Sequence, residues 1–267
     1  MTSEDNIILD RNGGILNITI NRPEQMNALD PASWGELADI FAEADEDASI
    51  GVIVLTGTGD KSFCAGGNLG ELAKFDKDLA RSMYRQSGRL FGNIRKARQP
   101  VIAAVNGYAI GGGNELALMC DLVIASKHAK FGQVGPKVGS SPIFGGTNLL
   151  SLMIGEKRAK EVVFLCRQYT ADEACEMGWI NKVVPHVELS SEVEKWCNEI
   201  LDKSPSYIEI SKVSSNVWWD MIQPGISHGE QLLMSMAGTP ENLEGAQSFM
   251  EKRAPDFRKF RRSSSDD

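Results

Sequence analysis

The sequence has no cysteine pair at CxxC spacing, no histidine cluster, no long apolar run and no excess of positive charge. Its five cysteines stand at positions 64, 120, 166, 175 and 197, and an odd, unpaired set suits reduced thiols in a cytoplasm rather than a disulfide framework. His128, His186 and His228 are too scattered to read as a zinc site. No apolar stretch approaches the ~18 residues of a membrane span. The start, MTSEDNIILDRNGG, is polar and acidic, unlike a secretory leader. A net charge of −8 argues against nucleic acid as a partner. One basic stretch, EKRAPDFRKFRR (251–262), is either a solvated tail or an anion contact. There is no internal repeat and no low-complexity segment.

What remains is an ordinary globular composition: 267 residues, 42% hydrophobic and 24% charged. The first half alternates strand and helix signals. GILNITI (14–20), GVIVLTG (51–57), PVIAAVNG (100–107) and DLVIAS (121–126) read as strands, and the continuous apolar runs suit parallel strands buried on both faces. Residues 30–47 predict a helix with Asp30 as N-cap and Pro31 at its first position; Trp34, Leu37, Ala38, Phe41 and Ala44 share one face. Residues 77–97 predict another. The second half reads as helical over 145–155, 157–166, 170–178, 190–204 and 242–253, with capping-box spacing at Thr170/Glu173 and Ser191/Glu194. An α/β core with right-handed crossovers, followed by a helical tail, is the expected architecture.

Two places combine a strand end with glycines: LTGTGDKSFCAGGNL (55–69) and NGYAIGGGNEL (106–116). Glycine lets backbone approach a ligand closely, and a helix N-terminus presents unpaired N–H groups. Neither stretch has the GxGxxG of a dinucleotide site or the GxxxxGK[ST] of a P-loop. A paired oxyanion hole fits better, with one N–H from near Gly67 and one from near Gly112 meeting a single carbonyl oxygen. Glu115 would then sit one turn away, placed to move a proton. On spacing alone it is equally a first-turn acid answering the helix dipole.

These residues resemble the crotonase (enoyl-CoA hydratase/isomerase) superfamily over nearly the whole chain. The matching blocks are INRPEQMNAL (20–29), IVLTGTGDKSFCAGGNL (53–69), PVIAAVNGYAIGGGNELALMCDLVIAS (100–126), FGQVGPKVG (131–139), ADEACEMGWINKVVP (171–185) and EGAQSFMEKRAPDF (244–257). The resemblance implies an α/β spiral of ββα repeats over residues 1–200. It also implies a helical C-terminal trimerisation region over 201–267, and homotrimers that often pair into hexamers. The implied substrate is an acyl-CoA thioester, with CoA as part of the substrate and no separate cofactor or metal. The family's oxyanion donors map to the N–H groups of Gly67 and Gly112. Its CoA contacts map to Asn27, Ala28 and Leu29, to Ala65, and to Phe249 and Lys252, the last two often from a neighbouring subunit.

Within the superfamily, hydratases carry two glutamates. The first matches Glu115; the second falls on Gly135. The blocks 131–140, 165–185 and 251–257 are similar instead to 1,4-dihydroxy-2-naphthoyl-CoA synthase and 2-ketocyclohexanecarboxyl-CoA hydrolase. Those enzymes carry an aspartate where this chain has Pro142, and the synthase a tyrosine where it has Ala237. The leading expectation is therefore hydration of a 2-enoyl-CoA, cyclic or aromatic-derived by kinship. The alternatives are carbon–carbon ring opening or closing, and non-catalytic acyl-CoA binding. Ser140, Ser141 and Asn68 are candidates to position water. Gln133 and Tyr108 are candidates to orient Glu115 or line the acyl pocket, whose specificity is expected from the stretch 70–94.

Overall fold

The computed structural model describes residues 5–68, 70 and 77–261. Part of the expected specificity stretch, 71–76, and the last arginine of the basic tail lie outside the described residues.

β1 (Ile7–Asn12) and β2 (Ile15–Ile20) form an antiparallel hairpin at the edge of a six-stranded sheet. β3 (Val52–Gly57), β5 (Val101–Val105), β7 (Leu122–Ser126) and β10 (Lys182–Val184) continue it in the order β1-β2-β3-β5-β7-β10, all parallel to β2. A smaller sheet holds β4 (Ser62–Cys64), β6 (Tyr108–Ile110), β8 (Lys130–Gly132) and β9 (Gln168–Thr170) in the order β4-β6-β8-β9, with only β9 antiparallel.

Chain order explains the spiral. β3 enters the large sheet, β4 the small one, and helix α2 (Lys77–Lys96) follows. β5, β6 and helix α3 (Gly112–Met119) repeat the move, as do β7, β8 and the pair α4 (Leu149–Ile154) and α5 (Glu156–Leu165). Each turn deposits one strand in each sheet. Before the first turn, helix α1 (Pro31–Glu46) starts on Asp30, whose Oδ1 accepts the Ser33 N–H at 2.8 Å, and buries the expected face from Trp34 to Ala44.

The central strands are apolar on both faces because both are covered. Ile53, Leu55, Val101, Ala103 and Val105 meet the core beneath α1 and α2. Their neighbours Val52, Val54, Ile102 and Ala104 meet Leu189, Val193 and Cys197 of α7 (Leu189–Leu201). Between these elements, α6 (Ala171–Glu176) carries the expected capping box: Thr170 Oγ1 accepts the Glu173 N–H at 3.1 Å, and Glu173 accepts the Thr170 N–H at 2.7 Å.

Three sequence expectations need correction. Ser191 is not a cap: α7 begins at Leu189, and the Ser191 hydroxyl donates to the Glu188 carbonyl at 3.0 Å. The helix expected from residue 145 begins only at Leu149, because Gly145 sits at φ +101 in the left-handed region. Two helices appear that the sequence pattern did not mark, α8 (Pro205–Ser215) and α9 (Val217–Met236). α10 (Pro240–Met250) follows. α8 is bolted to the core by Lys212, whose Nζ lies 2.7 Å from Asp121 Oδ2 and donates to the Gln99 and Ile94 carbonyls at 2.8 and 3.1 Å. No helix among the described residues is long and apolar enough to cross a membrane.

Candidate active site

The segment after β4 runs beside Leu29. Leu29 N–H donates to the Gly66 carbonyl at 2.8 Å, and Asn68 N–H to the Leu29 carbonyl at 2.9 Å. In extended chain, successive backbone groups alternate in direction. With residues 66 and 68 turned to Leu29, the Gly67 N–H points the other way. Facing it is the start of α3. Gly111, its N-cap, has φ +57, which L side chains rarely adopt. A Cβ on Gly113 would lie 1.9 Å from the Cys64 carbonyl oxygen, so glycine alone lets the helix approach β4 this closely. Gly112 is the first helical residue, and its N–H has no intrahelical acceptor. The two loops touch: a Cβ on Gly66 would be 2.8 Å from the Gly112 nitrogen, and one on Gly112 would be 3.6 Å from the Gly67 nitrogen.

Both amides border a cavity of 110 Å³, whose lining also includes Ala65, Glu115, Tyr84, Ser87, Gly135 and Ser140. Trp34, Met83, Phe91, Val134, Val138 and Phe144 make the rest of it apolar. Three of its aromatics form a chain, with ring centroids 5.6 Å apart for Trp34–Phe91 and 5.3 Å for Phe91–Phe144. Glu115 is 6% exposed. Burial pushes its carboxyl up to about 8, against a smaller downward pull from the Gly146 and Phe144 N–H groups. Its Oε1 has no hydrogen-bond partner among the described residues, nor has Trp34 Nε1. The half-buried Tyr84 phenol is raised by burial, drawn down in part by the neighbouring Ser140 side chain, and raised in a smaller measure by the Glu115 charge.

Six of the sequence candidates therefore meet at this cavity: Ala65, Gly67, Gly112, Glu115, Gly135 and Ser140. Gly135 is tightly enclosed. A Cβ there would stand 3.0 Å from Ser141 Cα, 3.1 Å from Pro142 Cδ and 3.1 Å from the Ser140 carbonyl carbon. A larger side chain needs the 140–142 segment to move.

The other candidates lie outside the cavity lining. Asn27 is fully buried and ties loops together: its Oδ1 accepts the Arg22 N–H at 2.9 Å, and its Nδ2 donates to the Ser62 and Thr58 carbonyls at 2.6 and 3.1 Å. Ala28 and Leu29 continue that buried turn. Asn68 accepts the Gly70 N–H at 3.0 Å and donates to Gln25 at 3.3 Å. Tyr108 is partly exposed on β6. Gln133 backs the helix instead of lining the cavity, donating to Asn114 Oδ1 at 3.0 Å. Phe249 is exposed near the end of α10, and Lys252 follows it at φ +54. α10 packs on its own chain: Asn242 Nδ2 donates to the Gly139 carbonyl at 2.8 Å, beside the turn Gly135–Val138. Two cations of the basic tail are engaged internally, Arg253 and Lys259 reaching Glu244 at 2.6 and 2.8 Å and holding its carboxyl far below the usual range.

Tyr84 is the residue that sequence reasoning did not single out. Its signal was a hydroxyl-bearing position on the α2 stripe that buries Ala80, Met83, Leu90, Phe91 and Ile94. A larger cleft of 410 Å³, lined by Ser49, Arg98, Gln99 and Lys203 among others, shares no residue with this cavity.

The profile of the enoyl-CoA hydratase/isomerase family matches residues 10–260. Among solved structures, an enoyl-CoA hydratase from Bacillus anthracis is 33% identical, with 95% of this chain and 99% of that chain covered and a TM-score of 0.78. An enoyl-CoA hydratase from Mycobacterium avium subsp. paratuberculosis K-10 is 28% identical, with 95% and 98% covered and a TM-score of 0.85. A carnitinyl-CoA hydratase from Mycobacterium avium is 29% identical, with 96% and 100% covered and a TM-score of 0.84.

Proposed function

The chain belongs to the enoyl-CoA hydratase/isomerase family, within the crotonase superfamily, and we propose that it is a lyase adding water to a 2-enoyl-CoA with Glu115 as its single carboxyl. The observation that carries this reading is Glu115 itself: a buried acid with one oxygen unpartnered among the described residues, raised to about 8, in the same cavity as Gly67 and Gly112. A carboxyl tuned near neutrality can both take and return a proton.

In the proposed step, ionised Glu115 takes a proton from water while the water oxygen bonds to the β-carbon. The carbon–carbon π electrons move to the thioester oxygen, where the Gly67 and Gly112 N–H groups stabilise the enolate. Losing one such donor typically costs ~3–4 kcal/mol of transition-state stabilisation. The enolate then collapses, and Glu115 gives the proton to the α-carbon. Water is consumed and nothing is oxidised. This chemistry calls for no metal or separate cofactor.

Asn27, Ala28, Leu29, Phe249 and Lys252 are proposed contacts for CoA outside the cavity. An apolar cavity near 150 Å³ accepts benzene, so 110 Å³ suits a short unsaturated chain better than the cyclic or aromatic-derived acyl group expected by kinship. The division into a core (1–200) and an oligomerisation region (201–267) belongs to the same reading. Tyr207, Ile210, Val213, Trp218 and Met221 leave α8 and α9 with exposed apolar side chains, which favours cover by further copies in a homotrimer. A cytoplasmic setting accords with its five free thiols.

The test is hydration of crotonyl-CoA by the purified protein and by Glu115→Gln. The parent is expected to hydrate it, and the variant to lose hydration while still binding the thioester. Equal turnover by both overturns the reading. Ring opening of 2-ketocyclohexanecarboxyl-CoA, read by product mass, would establish the carbon–carbon alternative, which Gly135 and the 131–140 block favour. Binding without turnover across a thioester panel would establish a non-catalytic role.

A further inference from the structure

Within the hydratase reading, on which this inference rests, the reacting water must be held against Glu115 by something. A water in a cavity needs two to four polar partners. Glu115 Oε1 offers one, since no protein group among those described satisfies it. Most of the remaining lining is apolar. Of the three hydroxyls there, Ser87 is committed, donating to the Met83 carbonyl at 2.8 Å. Trp34 Nε1 is also without a partner among the described residues, but the neighbouring edge of its ring, at Cζ2, lies 3.5 Å from where a Gly112 Cβ would be, at the amide end of the cavity. Tyr84 and Ser140 remain, on two different elements that the fold brings together.

We propose that Tyr84, which lines the cavity together with Ser140, is the positioning residue that presents water to Glu115. In this role the phenol O–H donates to the water oxygen, and Ser140, the other remaining hydroxyl of the lining, steadies the phenol from the opposite element. The water then keeps one O–H for Glu115 Oε1 and a lone pair for the β-carbon. Burial keeps the phenol protonated, and hence a donor, across the working range of Glu115. The enclosed Gly135 belongs to this arrangement: the segment 140–142 fills the space over it and thereby brings Ser140 into the same lining as Tyr84. No bond to carbon is made by Tyr84 and no proton leaves it; its part is orientation.

The experiment separates placing water from moving protons. Two reactions are followed in parent, Tyr84→Phe and Ser140→Ala. One is hydration of crotonyl-CoA. The other is exchange of the α-hydrogens of butanoyl-CoA with D2O, which uses Glu115 and the two amides but adds no water. Tyr84→Phe is expected to lower kcat for hydration by ~10- to 100-fold, the scale of a misplaced reactant, with KM and the exchange rate within about threefold of the parent. Ser140→Ala is expected to move kcat the same way by a smaller factor. Thermal midpoints confirm that each variant is folded. Hydration by folded Tyr84→Phe at the parental rate overturns the proposal. So does a parallel loss of hydration and exchange, which makes Tyr84 a support for Glu115. A parent that exchanges α-hydrogens but does not hydrate overturns the hydratase reading, and this inference with it.

Discussion

The two ends of helix α3 each carry a buried or half-buried acid, and the fold treats them in opposite ways. Asp121, two residues beyond the last turn, has Lys212 at 2.7 Å, Arg95 at 4.0 Å and the Val101 N–H at 2.8 Å. Those cations offset the unfavourable meeting of an acid with the negative end of a helix dipole. Glu115, in the first turn, is more deeply buried, and the pull of nearby N–H groups is outweighed by burial. The contrast separates a structural tie from a mobile proton. The carboxyl beside Lys212 and Arg95 joins two parts of the chain. A carboxyl left among apolar side chains with one open oxygen stays available for proton exchange, and such perturbed groups cluster at functional sites.

The comparison can be broken most severely at Glu115. Glu115→Gln keeps the shape and removes the exchangeable proton, and hydration is expected to fall by ~10²–10⁴-fold, measured as kcat/KM on a 2-enoyl-CoA. At the other end, Lys212→Met strands Asp121 beside Arg95 alone. Breaking a buried pair costs ~3–5 kcal/mol, which calorimetry would read as a lower Tm. Adding Asp121→Leu should recover only part of this, because the Val101 N–H then loses its acceptor.

The proton itself supplies a sharper probe. Folding raises the Glu115 carboxyl from an ordinary 4.5 to about 8. The folded state therefore binds the proton more tightly than the unfolded chain, and ionisation destabilises it as pH rises from about 4.5 to about 8. Relative to the parent, Glu115→Gln should gain stability across that window, by as much as a few kcal/mol at ~1.4 kcal/mol per unit. Denaturant melts at pH 5 and pH 8 would show whether the gap opens. The same titration has a catalytic face: kcat/KM for hydration, which needs the ionised form, should climb with pH and level above about 8. The smallest expected effect is Lys212→Met on kcat at permissive temperature, less than about threefold, since additivity holds for separate sites.

Much of this was legible in the sequence, and the exceptions have physical reasons. Helix α1 was marked by Asp30 and Pro31, and α6 by Thr170 and Glu173, because caps are local chemistry that spacing reports. Ser191 and Glu194 have the same spacing, but α7 extends back to Leu189 and leaves Ser191 within its first turn. α8 and α9 escaped notice because many of their apolar side chains face outward, and α9 runs through Pro224. The glycines and Glu115 could be placed beside one cavity because both loops end strands of one spiral. Tyr84 could not, since it shares the lining with Glu115 and Ser140, positions that only the folded chain brings together.

The seat of α10 has a mechanical consequence. A Cβ on Gly245 would fall 2.3 Å from the Gly139 nitrogen, and Met250 reaches within 3.6 Å of the Cβ position at Gly70. The last helix thus braces the two rims of the cleft from outside, like a hand across a hinge. Deleting residues beyond 239 would remove a buttress before it removed any reacting group. Conversely, whatever grips the outward side of that helix at Phe249 also stiffens the chamber beneath.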